Sequence, residues 1–159
     1  MKINPIQASD LPFIRQALNQ SWGSPRVVSR GVLYDATTLP GFIAIHQNEP
    51  EGLITYSIVG AECQIVTLNS RQEGMGIGTA LIEAVKTVAE RAGCRRLWLI
   101  TTNDNLAALR FYQKRGFMIA AVHINALENS RKLKPEIPLL GKDGIPLRDE
   151  IELEYLLRT

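Results

Sequence analysis

The stretch RQEGMGIGTALIEAV, residues 71–85, sets Gly74, Gly76 and Gly78 directly ahead of an apolar helical pattern. The first N–H groups of a helix have no partner inside it and carry the positive end of its dipole, so a glycine-rich entry is a natural seat for phosphate. Glycine also lets an anion approach the backbone and accepts positive φ. A tight strand-to-helix turn with close packing would ask for the same residues, and the cluster alone leaves both readings open. A Walker loop is excluded, since no G-x-x-x-x-G-K-[ST] can be read, and a dinucleotide fingerprint fails because Thr79 stands where its last glycine belongs. A second constellation follows downstream: N-x-x-A-x-x-F-Y-x-x-x-G-F, spelled by Asn105, Ala108, Phe111, Tyr112, Gly116 and Phe117. Metal chemistry has no comparable signal. Cys63 and Cys94 stand far apart and His46 and His123 are isolated, so neither a zinc site nor a disulfide framework is supported, and both cysteines read as plain buried residues.

The elements that must position these residues alternate along 159 residues that are 45% hydrophobic, the make-up of one globular domain over 1–159 with a real core. A net charge of +2 gives no basic stripe for nucleic acid or an anionic membrane. No apolar run is long enough to span a bilayer and MKINPIQASD lacks a signal-peptide pattern, so a cytoplasmic chain is expected. Lys2 to Ile6 reads as a strand, and Ser9 or Asp10 caps a helix to about Ser21. The stretch WGSPRVVSRGVLYDATTLPG reads as loop with at most a short helix. Gly41–His46, Gly52–Val59 and Glu62–Leu68 then form an antiparallel meander.

After the glycines, Leu81, Ile82, Val85, Val88, Ala89 and Ala92 recur at helical spacing, and the helix ends at Gly93. RLWLITT, Arg96 to Thr102, reads as a strand buried on both faces. Its connection to Glu62–Leu68 through a helix makes one βαβ unit, so those strands are expected to be parallel neighbours. A helix over Asn103–Arg115 and strands Phe117–Ile124 and Glu150–Leu157 complete an α+β fold around one mixed sheet.

With both motifs placed one βαβ unit apart, the chain resembles the GNAT superfamily of acyl-CoA-dependent N-acyltransferases, specifically over about residues 52–120. The resemblance implies that family's fold: a single, mostly antiparallel mixed sheet with one central parallel βαβ unit and helices on both faces. It also implies acetyl-CoA as the acyl donor. The family's Q/R-x-x-G-x-G/A motif, which holds pyrophosphate through backbone amides, falls on Glu73, Gly74, Met75, Gly76, Ile77 and Gly78, with Thr79 next in the helix. Glu73 departs from the usual Gln or Arg; a screened carboxylate beside pyrophosphate repels it by ~1 kcal/mol. The contact there is chiefly backbone, and Arg71, Arg110, Lys114 and Arg115 are expected near enough to offset the charge.

The resemblance also assigns roles. A protonated amine has no lone pair, so a base must deprotonate it, and Glu62, on the strand that ends at the acyl site, is the best candidate. By alternation Glu62 shares a face with Gln64, Val66 and Leu68 unless a bulge intervenes; six residues separate it from Leu68, roughly 20 Å at full extension, so it would act through water. The oxyanion donor falls on the amide of Val66, with Thr67 and Leu68 beside the acyl arm. Tyr112 matches the tyrosine that protonates or hydrogen-bonds the leaving thiolate. Asn105 matches the asparagine on the pantetheine arm, although helix capping would use it equally well, and Ala108 and Phe111 line the same helix.

The acceptor implied by the resemblance is a small-molecule or peptide amine. Between the last two strands ALENSRKLKPEIPLLGKDGIPLRDE is too long for a turn, and too apolar at Leu133, Ile137, Leu139 and Leu140 for a solvated tail. It reads as an ordered flap, with Asn129–Lys132 helical, in which Arg131 and Lys134 meet an acceptor carboxylate or phosphate and Glu136, Asp149 and Glu150 hold its ammonium. A dimer-forming loop is the rival. The same fold kept as a coenzyme A sensor or structural homodimer without turnover is the alternative to an enzyme.

Overall fold

Short turns decide where the strands begin. Gln47 and Asn48 take φ of 52° and 63° between β4 (Gly41–His46) and β5 (Glu49–Val59), the two positive values a type I′ hairpin requires. A second such turn, Arg30 at 48° and Gly31 at 76°, joins β2 (Arg26–Ser29) to β3 (Val32–Asp35). This hairpin, with a 3-10 turn over Ala36–Thr38, replaces the loop expected across residues 22–41. Its strands are four residues each, too short for alternation to register.

The computed structural model describes residues 1–72 and 74–157. The other elements are β1 (Lys2–Pro5), α1 (Leu11–Trp22), β6 (Glu62–Ser70), α2 (Ile77–Arg91), β7 (Arg96–Thr102), α3 (Leu106–Lys114), β8 (Met118–His123), α4 (Ala126–Leu133) and β9 (Glu150–Leu156). Seven strands make one mixed, mostly antiparallel sheet in the order β1-β4-β5-β6-β7-β9-β8, with β2 and β3 as a separate pair. The neighbours β6 and β7, joined through α2, are the parallel βαβ pair. The chain divides into two compact units. One holds Met1–Val27, Asp35–Leu97 and the end from Leu157; the other holds Val28–Tyr34 and Trp98–Leu156.

In the first unit β5 is buried at each of Gly52, Leu53, Ile54 and Thr55, so both its faces are covered. Leu53 joins Ile14, Ala17 and Leu18 of α1 in one cluster with Ala36 and Ile43. On the opposite face a Cβ at Gly52 would come within 2.5 Å of Ile77 and 3.0 Å of Leu81, so α2 lies there, close to the strand. The two helices thus pack on opposite faces. Of α2's expected stripe, Leu81, Ile82, Val85 and Ala89 are buried with Ile77, whereas Val88 is half-buried and Ala92 exposed at the helix end. Cys63 and Cys94 are buried free thiols. Burial, with Cys94 adding to it, pushes the Cys63 thiol up to about 12, which keeps it protonated and unreactive.

In the second unit β8 pairs antiparallel with β9, from Met118 opposite Glu154 to His123 opposite Glu150, with a register shift between Ile119 and Ala121. Along β7 burial alternates: Leu97, Leu99 and Thr101 are buried and the residues between them half-buried. One face of that strand is therefore only partly covered, where burial on both was expected. The helix expected from Asn103 starts at Leu106 instead, because Asn103, Asp104 and Asn105 use their side chains as turn and cap acceptors.

Candidate active site

The site residues predicted from sequence fall into both units.

In the first unit β6 carries a bulge. Thr55 pairs with Thr67 and Tyr56 with Ile65, so Val66 has no counterpart on β5. An extra residue leaves the ladder locally open and resets the alternation. Glu62 and Gln64 therefore do not share a face with Val66 and Leu68 as simple alternation predicts. Just past the bulge the Oγ atoms of Thr55 and Thr67 lie 2.6 Å apart, both residues fully buried, which pins the strand beside Val66. Leu68 stands opposite Ile54, half-buried. Glu62 sits at the start of β6 opposite Val59, where its Oε1 accepts from Arg96 Nε at 2.7 Å.

The glycine loop leads into α2. Gly74 and Gly76 have φ of 81° and 74°, and a Cβ built on either would meet nothing within 4 Å. Close packing therefore does not demand glycine here; the left-handed backbone does. Gly76 is the N-cap and no side chain caps the helix. The first helical bond runs from Ala80 N to Gly76 O, and the N–H groups of Gly76, Ile77 and Gly78 have no acceptor among the described residues. Met75 is exposed, Ile77 buried, and Gly78 and Thr79 half-buried. Glu73 lies outside the described residues. Arg71, expected to offset charge, stacks over Phe13 at 4.9 Å and donates to Gln16. This open, uncapped end of a 15-residue helix carries its partial positive charge toward solvent.

In the second unit Asn105 is the N-cap of α3, its Oδ1 accepting from Ala108 N at 3.1 Å and from Lys142 Nζ at 3.4 Å. Capping, the competing role, is thus realised, and the carboxamide nitrogen is left over. Phe111 is half-buried beneath the Arg115 guanidinium, 3.6 Å above its ring, so this arginine is already engaged. Tyr112 is buried with its ring edge-on to Phe111 and Phe117. Its hydroxyl has no hydrogen-bond partner among the described residues. Burial holds this phenol well above its ordinary pKa, Arg115 pulling weakly the other way, so it carries its proton at neutral pH.

The segment after β8 is ordered, and α4, Ala126–Leu133, is longer than the helical turn expected there. Arg131 donates from Nε to the carbonyl of Ile137 and from one terminal nitrogen to those of Pro138 and Leu147, at 3.3, 2.8 and 2.6 Å. It staples the segment to itself. Lys134 is buried and Glu136 exposed. Asp104 accepts from Lys142 N, while Asn103 accepts from both Arg148 N and Asp149 N and donates to Pro146 O. Sequence reading missed Asn103 and Asp104 as anchors because such residues before a helix read as caps. It missed the Thr55–Thr67 pair because a bulge leaves no mark in composition.

With this geometry in place, comparison with known proteins is decisive for the family. The profile described as Acetyltransferase (GNAT) family matches residues 7–117. The chain belongs to the GNAT acetyltransferase family. This GNAT chain is 48% identical over 131 residues, 82% of each protein, to the uncharacterized protein YdhI of Bacillus subtilis. Its fold is similar to that of an IAA acetyltransferase from Bacillus cereus, with a TM-score of 0.76 at 21% identity over 98% of this chain and 99% of the other. A GNAT family acetyltransferase from Elizabethkingia anophelis, solved with acetyl-CoA bound, superposes with a TM-score of 0.71 at 22% identity over 98% and 97% of the two chains. Among the described residues no helix is long and apolar enough to cross a membrane.

Proposed function

We infer that this GNAT protein transfers an acetyl group from acetyl-CoA to a primary amine by direct attack in a ternary complex. The observation that carries the reading is the uncapped N-terminus of α2, whose N–H groups at Gly76, Ile77 and Gly78 have no acceptor among the described residues and whose approach is kept clear by Gly74 and Gly76. Those donors fit the pyrophosphate of acetyl-CoA, which supplies the activated acyl group when bound.

The remaining roles follow from the residues. Glu62 takes the amine proton through water, its Oε1 accepting from Arg96 Nε. The amide at Val66, set in the bulge, donates to the carbonyl oxygen as charge builds there. The nitrogen–carbon bond forms as the carbon–sulfur bond breaks, its electron pair leaves on sulfur, and Tyr112, kept protonated by burial, gives that sulfur its proton. Asn105 offers its free carboxamide nitrogen to the pantetheine arm, while Ala108 and Phe111 give that arm an apolar wall.

The test is calorimetric titration of acetyl-CoA into the protein together with thiol release against a panel of amines. Micromolar binding and turnover of at least one amine support the reading. Absence of binding overturns it, whereas binding without turnover across the panel favours a coenzyme A sensor, a reading that the pairing of Glu62 with Arg96 also suits.

A further inference from the structure

The second unit holds a cavity of about 540 Å³, within the range of small-molecule sites. Its polar lining is Arg30, His123, Asn129 and Glu150, and Val122 and Ile124 give it an apolar wall. Glu150 is only 2% exposed, so its charge must be met locally. Among the described residues Arg30 alone meets it: the backbone N–H donates to Oε2 at 3.2 Å and the guanidinium to Oε1 at 3.3 Å. Each carboxylate oxygen has two acceptor sites and the guanidinium five donors, so both partners keep capacity toward the cavity. Their exposures differ, 3% for the Glu150 side chain and 42% for that of Arg30. His123 is already tied to Glu152 at 3.0 Å.

These facts select a ligand chemistry. The pair at the cavity floor is neutral in sum, so neither a polycation nor a phosphate is matched. A ligand with its own ammonium and carboxylate can satisfy Glu150 with one and Arg30 with the other, while an aliphatic chain lies on Val122 and Ile124. We propose that this cavity binds the free amine acceptor as a zwitterion, an α-amino acid with an aliphatic side chain. Calling that ligand the acceptor rests on the acetyltransferase reading; the binding site itself does not. The two half-ligands are unequal, because an amine that draws Glu150 from Arg30 leaves a cation half in water, whereas a carboxylate that draws Arg30 away strands a buried anion.

The experiment titrates the full chain, without acetyl-CoA, with L-norleucine, pentylamine and hexanoate, followed by ligand-observed NMR, and titrates acetyl-CoA in parallel. The expected order is norleucine first, pentylamine about 10-fold weaker and hexanoate weaker still, the step being that of one charged hydrogen-bonded contact. Glu150→Gln should abolish norleucine binding. Because a buried substitution can unfold the chain, Arg30→Gln serves as the second variant and should erase the advantage of norleucine over pentylamine. Equal binding of the three compounds, no binding of any, or wild-type norleucine affinity in folded Arg30→Gln overturns the proposal. If acetyl-CoA binds but the order is absent, the cavity assignment alone falls. If the order holds but acetyl-CoA does not bind, the acetyltransferase reading falls and the amino-acid site stands.

Discussion

The entry to α2 and the segment between α4 and β9 are both irregular, polar backbone, yet they treat their hydrogen-bonding groups in opposite ways. At the α2 entry the N–H groups of Gly76, Ile77 and Gly78 have no acceptor among the described residues, and the N-cap residue is a glycine. In the segment the carbonyls of Ile137, Pro138 and Leu147 are gathered by Arg131, and Asn103 and Asp104 take up the N–H groups of Arg148, Asp149 and Lys142. Native proteins pair almost all such groups where they are buried, so donors left open at an exposed helix end are free to meet water or a ligand, whereas a closed network marks a place built to stay put. Polarity and irregularity are shared by both; unmet capacity separates them.

Tyr112 offers the largest test of that distinction, since its ring is buried and its hydroxyl has no hydrogen-bond partner among the described residues. Replacing it with Phe removes a hydroxyl that holds no internal bond, so thermal stability should be unchanged or slightly higher. Turnover should fall by roughly 100-fold, the low end of what a positioned proton donor contributes, with little change in the Michaelis constant for acetyl-CoA. Wild-type turnover would make Tyr112 a packing residue. Next comes Arg131→Ala, which strips three carbonyls of their donor and should cost about 2 kcal/mol in urea unfolding, with acetyl-CoA affinity intact. A stable variant with a raised Michaelis constant for the amine would instead restore the acceptor contact expected from sequence. On the open side, Gly76→Val forces a β-branched residue to φ of 74° and crowds the donors. Acetyl-CoA affinity should weaken about 10-fold or more, near 1.4 kcal/mol, and unchanged affinity in a folded variant would remove the α2 entry as the pyrophosphate seat.

The same distinction explains what could be read from the chain. Four strands of the meander and crossover and the amphipathic α2 declare themselves because each is long enough for a period to repeat. The glycine loop and the Asn105–Phe117 motif are legible because they are local. Arg131 shows the opposite case: its charge is visible in sequence, but the carbonyls it bonds lie up to sixteen residues away and meet it only after folding. The bulge at Val66 is equally silent, since it is a mismatch between two strands and neither strand records it alone. Glu150 is legible in sequence as a candidate to hold an ammonium, but its partner is not: only the β2–β3 turn, too short to predict, brings Arg30 onto it.

The smallest expected effect tests whether the closed segment is held partly by charge. Asp149 accepts two bonds from its neighbour Arg148, at 2.8 and 3.0 Å, and one from Asn125 N at 2.9 Å. The Arg148 bond is the main reason its carboxyl lies below the ordinary range; burial opposes this, and the Asn125 N–H and the Arg148 charge add to it. A carboxyl whose folded pKa lies below its unfolded value of about 3.9 binds fewer protons when folded, so its contribution to stability is complete above that pH. The contribution is lost as pH falls through the lower folded value. Asp149→Asn keeps one acceptor for Asn125 but cannot hold the Arg148 fork, so the variant should melt slightly lower at neutral pH and lose less on acidification below pH about 4. Melting curves for both proteins should therefore converge as pH falls. Parallel curves would mean that Asp149 anchors the segment through hydrogen-bond geometry alone, and the closed network would then owe nothing to its charge.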